Sequence, residues 1–114
     1  VRTLYFKRYT SKLIKENFEK ILDVGSGIGF YTLFIGKSFK NAKVIGIDID
    51  KDKLKSSESI ANELGIKNVE FQNLNATKLS NESSYDFIVN IDVLEHVVNY
   101  EKFIVNFSVA FFIF

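Results

Sequence analysis

Apolar and polar positions along this chain follow two periods in turn, and the switches between them lay out the elements. Leu13, Ile14 and Phe18 fall at helical spacing in a charged background, so Arg2 to Asn17 reads as an amphipathic helix. Lys20-Ile21-Leu22-Asp23-Val24 is a short apolar run closed by glycine, which has the length and flanks of a buried strand. Gly29 to Lys40 predicts a helix that is apolar nearly all round, through Tyr31, Leu33, Phe34, Ile35 and Phe39. Ala42 to Ile47, rich in β-branched residues, predicts a second strand. Asp50 can cap the next helix, whose apolar face is Leu54, Ala61 and Leu64 and whose stop is Gly65. Val69 to Gln72 reads as a third strand, Asn81 to Ser84 as a polar loop and Tyr85 to Ile91 as a fourth strand. Helix resumes at Asp92.

Strands that alternate with helices and carry near-continuous apolar runs predict a mostly parallel sheet covered on both faces, an α/β three-layer sandwich. In such sheets ligands bind beyond the carboxyl ends of the strands, where strand order reverses. The residues that follow each strand are therefore the candidates for chemistry.

With 114 residues the chain is one domain at most, 1–114. Fifteen Lys and Arg against fourteen Asp and Glu leave a net charge of +1, which gives no electrostatic reason to expect nucleic acid or an anionic membrane as partner. There is no Cys, so disulfides, zinc thiolates and a cysteine nucleophile are excluded, and a single His rules out a multi-histidine metal site. The first twenty residues carry charges throughout, unlike a secretory leader, and no run reaches the ~20 apolar residues of a membrane span. The expected location is cytoplasmic.

Phe103 to Phe114 is apolar except for Asn106 and Ser108, and reads as a buried helix or strand cut before its natural end. The fourth strand is apolar on both faces, as an inner strand is. It must either pair with Phe107 to Phe114 or stand as an open edge through which copies of the chain could associate.

The first strand runs into Gly25-Ser26-Gly27-Ile28-Gly29. Glycines at every second position allow a tight turn and let the backbone approach a ligand, and the helix that follows offers free N–H groups. The dinucleotide fingerprint G-x-G-x-x-G is broken by Phe30, and Asp23 with no basic residue before Lys37 speaks against a pyrophosphate. An acid there suits a ligand with a positive or zwitterionic end. Asp48, 23 residues after Gly25, suits ribose hydroxyls, because Asp50 can take the helix cap and leave Asp48 free.

Ile21 to Thr32 resembles the glycine-rich first motif of the class I S-adenosylmethionine-dependent methyltransferases. Val44 to Asp50 resembles their acidic second-strand motif, and Tyr85 to Val97 their fourth-strand motif, in the form of the small-molecule branch that includes ubiquinone-biosynthesis enzymes. The likeness covers about Ile14 to Phe103. It implies a Rossmann-like sandwich of which this chain holds about four of the usual seven strands, and hence a domain truncated at its C-terminus.

The resemblance also implies roles. Gly25, Ser26, Gly27 and Gly29 would line the methionine end of S-adenosylmethionine, and Asp23 would face its ammonium through a water. Asp48 would hold the ribose and Ile49 the adenine face. Asn75 and Ala76 stand where the family has an acid and a small residue at the adenine, so Asn75 would accept there without charge. Asn90 and Ile91 would lie beside the sulfonium. For His96 two readings stay open, a substrate-side general base and a packed helix residue, while Asp92 with Glu95 has the spacing of a helix cap. No metal site is expected. The activity implied is methyl transfer to a small molecule. The alternatives are a non-catalytic cofactor-binding fragment and an NAD-binding oxidoreductase fragment.

Overall fold

The computed structural model describes residues 2–78, 85–91 and 110–113. In chain order the described elements are α1 (Arg2–Leu13), β1 (Lys20–Val24), α2 (Phe30–Ser38), β2 (Lys43–Asp48), α3 (Lys51–Glu63), β3 (Val69–Asn73), a 3₁₀ turn (Ala76–Lys78), β4 (Phe87–Asn90) and β5 (Ala110–Ile113). The strands form one sheet in the order β3-β2-β1-β4-β5, with every neighbouring pair parallel. Of the two fates open to β4, pairing with the C-terminal run is the one found, and this makes a fifth strand. Between β3 and β4 the described residues form only the 3₁₀ turn.

Burial explains the strands. Ile21, Val44, Phe87 and Val89 pack with Ile35 and Phe39 of the α2 region on one face, while Leu22, Val24, Ile45, Ile47 and Ile88 form a second cluster on the other. Alternation of side chains along each strand divides them so. The predicted first helix stops four residues early. Ile14 is exposed, and Phe18 lies beyond the helix, stacked on Phe87 at 5.2 Å between ring centroids.

α3 follows the amphipathic rule with one correction. Its buried positions are Leu54, Ser57 and Ala61, whereas Leu64 is 61% exposed. Leu64 is the C-cap, past the last turn that rests on the sheet. Asp50 caps the other end by accepting from the N–H groups of Asp52 and Lys53. Gly65, with φ 68°, stops the helix, and Ile66 N–H returns to the Ala61 carbonyl at 2.9 Å.

β2 and β3 lie to one side of β1, and β4 and β5 to the other. Strand order therefore reverses at β1, and the crevice of such a sheet opens at its carboxyl end. Val24 is paired there with Ile47 of β2 and Asn90 of β4.

Candidate functional site

The loop from β1 to α2 is folded back over the end of β2. Gly25 and Ser26 N–H groups both donate to the Ile47 carbonyl, at 2.8 and 2.9 Å. Gly27 N–H donates to Asp48 Oδ2 at 2.8 Å, and the Gly27 carbonyl accepts from the Ser57 hydroxyl at 3.0 Å. Gly27 has φ 57°, and a Cβ built on it would meet nothing within 4 Å, so the loop turns a bare backbone edge toward open space. Gly46 is required for contact instead: a Cβ there would stand 2.9 Å from Ser26 Cβ and 3.0 Å from the Phe71 ring.

Asp48 is not free, contrary to the expectation from its sequence position. Each of its carboxylate oxygens accepts one backbone bond, Oδ2 from Gly27 and Oδ1 from Asp50 at 2.9 Å. The reason is geometric: the parallel pairing of β1 with β2 lays the glycine loop directly over the end of β2. A carboxylate can accept about four bonds, so about two acceptor sites remain for hydroxyls.

Asp23 is buried, at 2% exposure, and its Oδ2 accepts from the Thr32 hydroxyl at 2.5 Å. Burial pushes its pKa up to about 7. The Thr32 bond opposes the rise, and the nearby charge of Asp48 adds to it. Asp23 Oδ1 accepts nothing from the described residues.

At this same edge of the sheet lie, among the described residues, three buried polar atoms without partners: Ser26 Oγ and both amide atoms of Asn90, which is fully buried. Each such atom costs about 1–3 kcal/mol when left unsatisfied, so its retention needs a reason. Ile91 is buried in the first core cluster. By contrast Ile28, Phe30 and Ile49 are 58%, 55% and 74% exposed, apolar surface left in water after the first two strands.

Asn75 is exposed, and its amide oxygen already accepts from both Thr77 N–H and the Thr77 hydroxyl, at 3.0 and 2.8 Å. It caps the 3₁₀ turn, so the acceptor foreseen for an adenine amino group is in use. The following Ala76 is buried. His96, Asp92 and Glu95 lie outside the described residues.

Two contributors escaped the sequence reading, Thr32 and Ser57. Ser57 left a signal, as a small polar residue three positions after Leu54 on the apolar stripe of α3. Thr32 left less, because a hydroxyl inside an apolar helix is commonly spent on its own backbone. A cleft of about 400 Å³ lined by Lys37, Lys40 and Lys67 lies at the opposite, amino end of the sheet and bears on none of these groups.

A family model described as a methyltransferase domain matches residues 15–110. Among curated relatives, a probable (S)-tetrahydroprotoberberine N-methyltransferase 2 of Papaver bracteatum is 31% identical over 90 residues, covering 79% of this chain and 25% of its own. A ubiquinone biosynthesis O-methyltransferase of Rickettsia akari (strain Hartford) is 30% identical over 104 residues, covering 91% of this chain and 38% of its own. The chain thus spans well under half the length of these relatives.

Among solved structures, a SAM-dependent methyltransferase from Aquifex aeolicus superposes with a TM-score of 0.76 at 27% identity, over 89% of this chain and 55% of that one. Coclaurine N-methyltransferase, solved with N-methylheliamine and SAH, superposes with a TM-score of 0.79 at 24% identity, over 93% of this chain and 33% of that one, which speaks for the fold.

Proposed function

Because this chain belongs to the class I S-adenosylmethionine-dependent methyltransferases, we propose that its glycine loop and Asp48 hold S-adenosylmethionine for methyl transfer to a small-molecule acceptor. The observation that carries the reading is the Gly27–Asp48 pair, a bare backbone edge beside a carboxylate with acceptor sites to spare.

The residues present fit such a nucleoside. Asp48 takes the ribose hydroxyls on its remaining lone pairs. Gly25, Ser26, Gly27 and Gly29 let the amino-acid tail lie close to the backbone. Asp23 Oδ1 faces the ammonium through a water, and Ile49 covers the adenine with a side chain that otherwise stays in water. Ala76 lies under the adenine edge, while Asn75 contributes its NH₂ group, its oxygen being engaged. Asn90 and Ile91 stand at the end of β4 beside the sulfonium, where the orphaned Asn90 amide gains a polar partner.

When bound, the cofactor supplies an activated methyl group. The chain's part is alignment and exclusion of water, and no nucleophile is required of it. Asp23 adds a proton function: a cation brought beside its buried carboxyl draws the proton off and leaves a paired charge.

That the acceptor is a small molecule is supported by the relatives named for alkaloid and ubiquinone methylation. Calorimetry of the chain with S-adenosylhomocysteine, S-adenosylmethionine and NAD tests the reading. Binding of the first two is expected, and binding of NAD alone overturns it. A second reading of these residues, cofactor binding without catalysis, rests on the same Gly27–Asp48 pair, which places a ligand and no reacting group. Transfer of labelled methyl to a cell extract separates it from the first.

A further inference from the structure

Ser57 lies on α3, thirty residues from the glycine loop in sequence, yet its hydroxyl is fully buried and reaches the loop. It is 3.0 Å from the Gly27 carbonyl and 2.9 Å from the Lys53 carbonyl one turn back. The one hydroxyl proton is shared between the two carbonyls, and a serine inside a helix commonly makes the second bond alone. The first is long-range, and it acts on the residue whose N–H is already held by Asp48 at 2.8 Å. Gly27 is therefore gripped at both ends, N–H by Asp48 and carbonyl by Ser57.

The second grip has a consequence for the next residue. The Gly27 carbonyl and the Ile28 N–H belong to one peptide unit, which is planar and trans, so they point in opposite directions. With the carbonyl drawn inward to Ser57, the Ile28 N–H is turned outward. It bonds to no described residue, and a Cβ built on the neighbouring Gly27 would meet nothing within 4 Å. Nothing else described holds this peptide. Gly25 and Ser26 are pinned to Ile47, and Gly29 N–H bonds the Ser26 carbonyl. Without Ser57 the Gly27–Ile28 peptide could rotate, since glycine at φ 57° has low barriers to other conformations.

We infer that Ser57 is a positioning residue: its bond to the Gly27 carbonyl aims the Ile28 N–H at the carboxylate of the ligand's amino-acid tail. The inference rests on the proposed function and names the part of the ligand that this contact serves. It also divides the ligand into halves, with Asp48 answering for the ribose and Ser57, through Ile28, for the tail.

The division supplies the test. S-adenosylhomocysteine carries the tail carboxylate and 5′-methylthioadenosine does not. Calorimetry on the 114-residue chain compares both ligands on wild type and Ser57→Ala. The expected result is about a five- to tenfold loss for S-adenosylhomocysteine, the worth of about one hydrogen bond, and an unchanged affinity for methylthioadenosine. In nitrogen–proton spectra the Ile28 amide should move in the free variant more than that of Gly25. If Ser57→Ala does not fold, Ser57→Cys, with a weaker donor of similar size, reads the same ratio. Equal losses for both ligands, or no loss for either, overturn the inference and leave the functional reading standing. A wild-type chain that binds methylthioadenosine and S-adenosylhomocysteine equally also overturns the inference. One that binds neither overturns the functional reading, and the inference with it.

Discussion

The carboxylate of Asp48 accepts the backbone N–H of Gly27 at 2.8 Å, so the acid at the end of the second strand holds the turn that follows the first. The two halves of the candidate site are thus one unit, and a change at Asp48 reaches the glycine loop even without ligand. Charge-assisted bonds of this kind contribute about 1.5–3 kcal/mol each.

Asp48→Ala removes both that anchor and the proposed ribose contact. S-adenosylhomocysteine affinity is expected to fall at least about tenfold, measured by calorimetry, because at least one charged hydrogen bond is lost. An unchanged affinity would sink the ribose assignment.

Asp23 predicts an unusual dependence of stability on pH. Its folded pKa, about 7, lies above the unfolded value of 3.8. An acid so shifted binds its proton more tightly when folded. Its contribution is complete below about pH 4 and is lost as pH rises to about 7. Denaturant unfolding at pH 5 and pH 8 should show the wild type weaker at pH 8, by about 2–3 kcal/mol from this group, the part of the window that lies above pH 5. Asp23→Asn, of the same shape but neutral, should flatten the difference. A wild type equally stable at both values would show that Asp23 ionises freely in the fold.

The same group predicts proton release on binding. A ligand ammonium placed near Asp23 lowers its pKa, so at pH 7 a proton leaves the protein. The heat of S-adenosylhomocysteine binding should then differ between phosphate and Tris buffers for the wild type and agree for Asp23→Asn. The same heat in both buffers for the wild type would separate Asp23 from the ligand's charge.

Asn90 is buried with its amide unpaired, which costs stability. Replacing it by leucine, of the same branching and heavy-atom count, is expected to raise unfolding free energy by about 1–2 kcal/mol in urea. The same variant should bind S-adenosylhomocysteine more weakly. A variant more stable and equally tight would leave Asn90 without a ligand role.

Gly36 marks where α2 meets β3. A Cβ built there would lie 2.3 Å from Val69 Cγ2. Gly36→Ala is expected to cost about 1–3 kcal/mol by overpacking, despite alanine's better helix propensity. Thermal melts followed by circular dichroism would read the change, and a raised midpoint would contradict the packing described.

β1, β2 and β4 were legible in the sequence because each is a short apolar run buried on both faces, and periodicity reports burial directly. β1 matches its predicted bounds, Lys20 to Val24, residue for residue. The glycine loop and Asp48 were legible for another reason: backbone freedom and charge are properties of the residue itself. Asp50 as a helix cap was legible too, since the cap reaches only two and three residues along the chain.

What the sequence alone could not decide is where each polar group spends its bonds. Asp48 looked free and is engaged by Gly27, Asn75 looked available and is engaged by Thr77, and Ser57, which the sequence reading passed over, lies under the loop. The Asp48 and Ser57 pairings span 21 and 30 residues, and parallel strands with their crossovers alone bring such partners together. The Asn75 pairing spans two residues, but it follows from the 3₁₀ turn that the chain adopts there. The C-terminal run was likewise open between helix and strand. Apolar content fixes that a segment is buried, and only pairing with β4 decides that it is a strand.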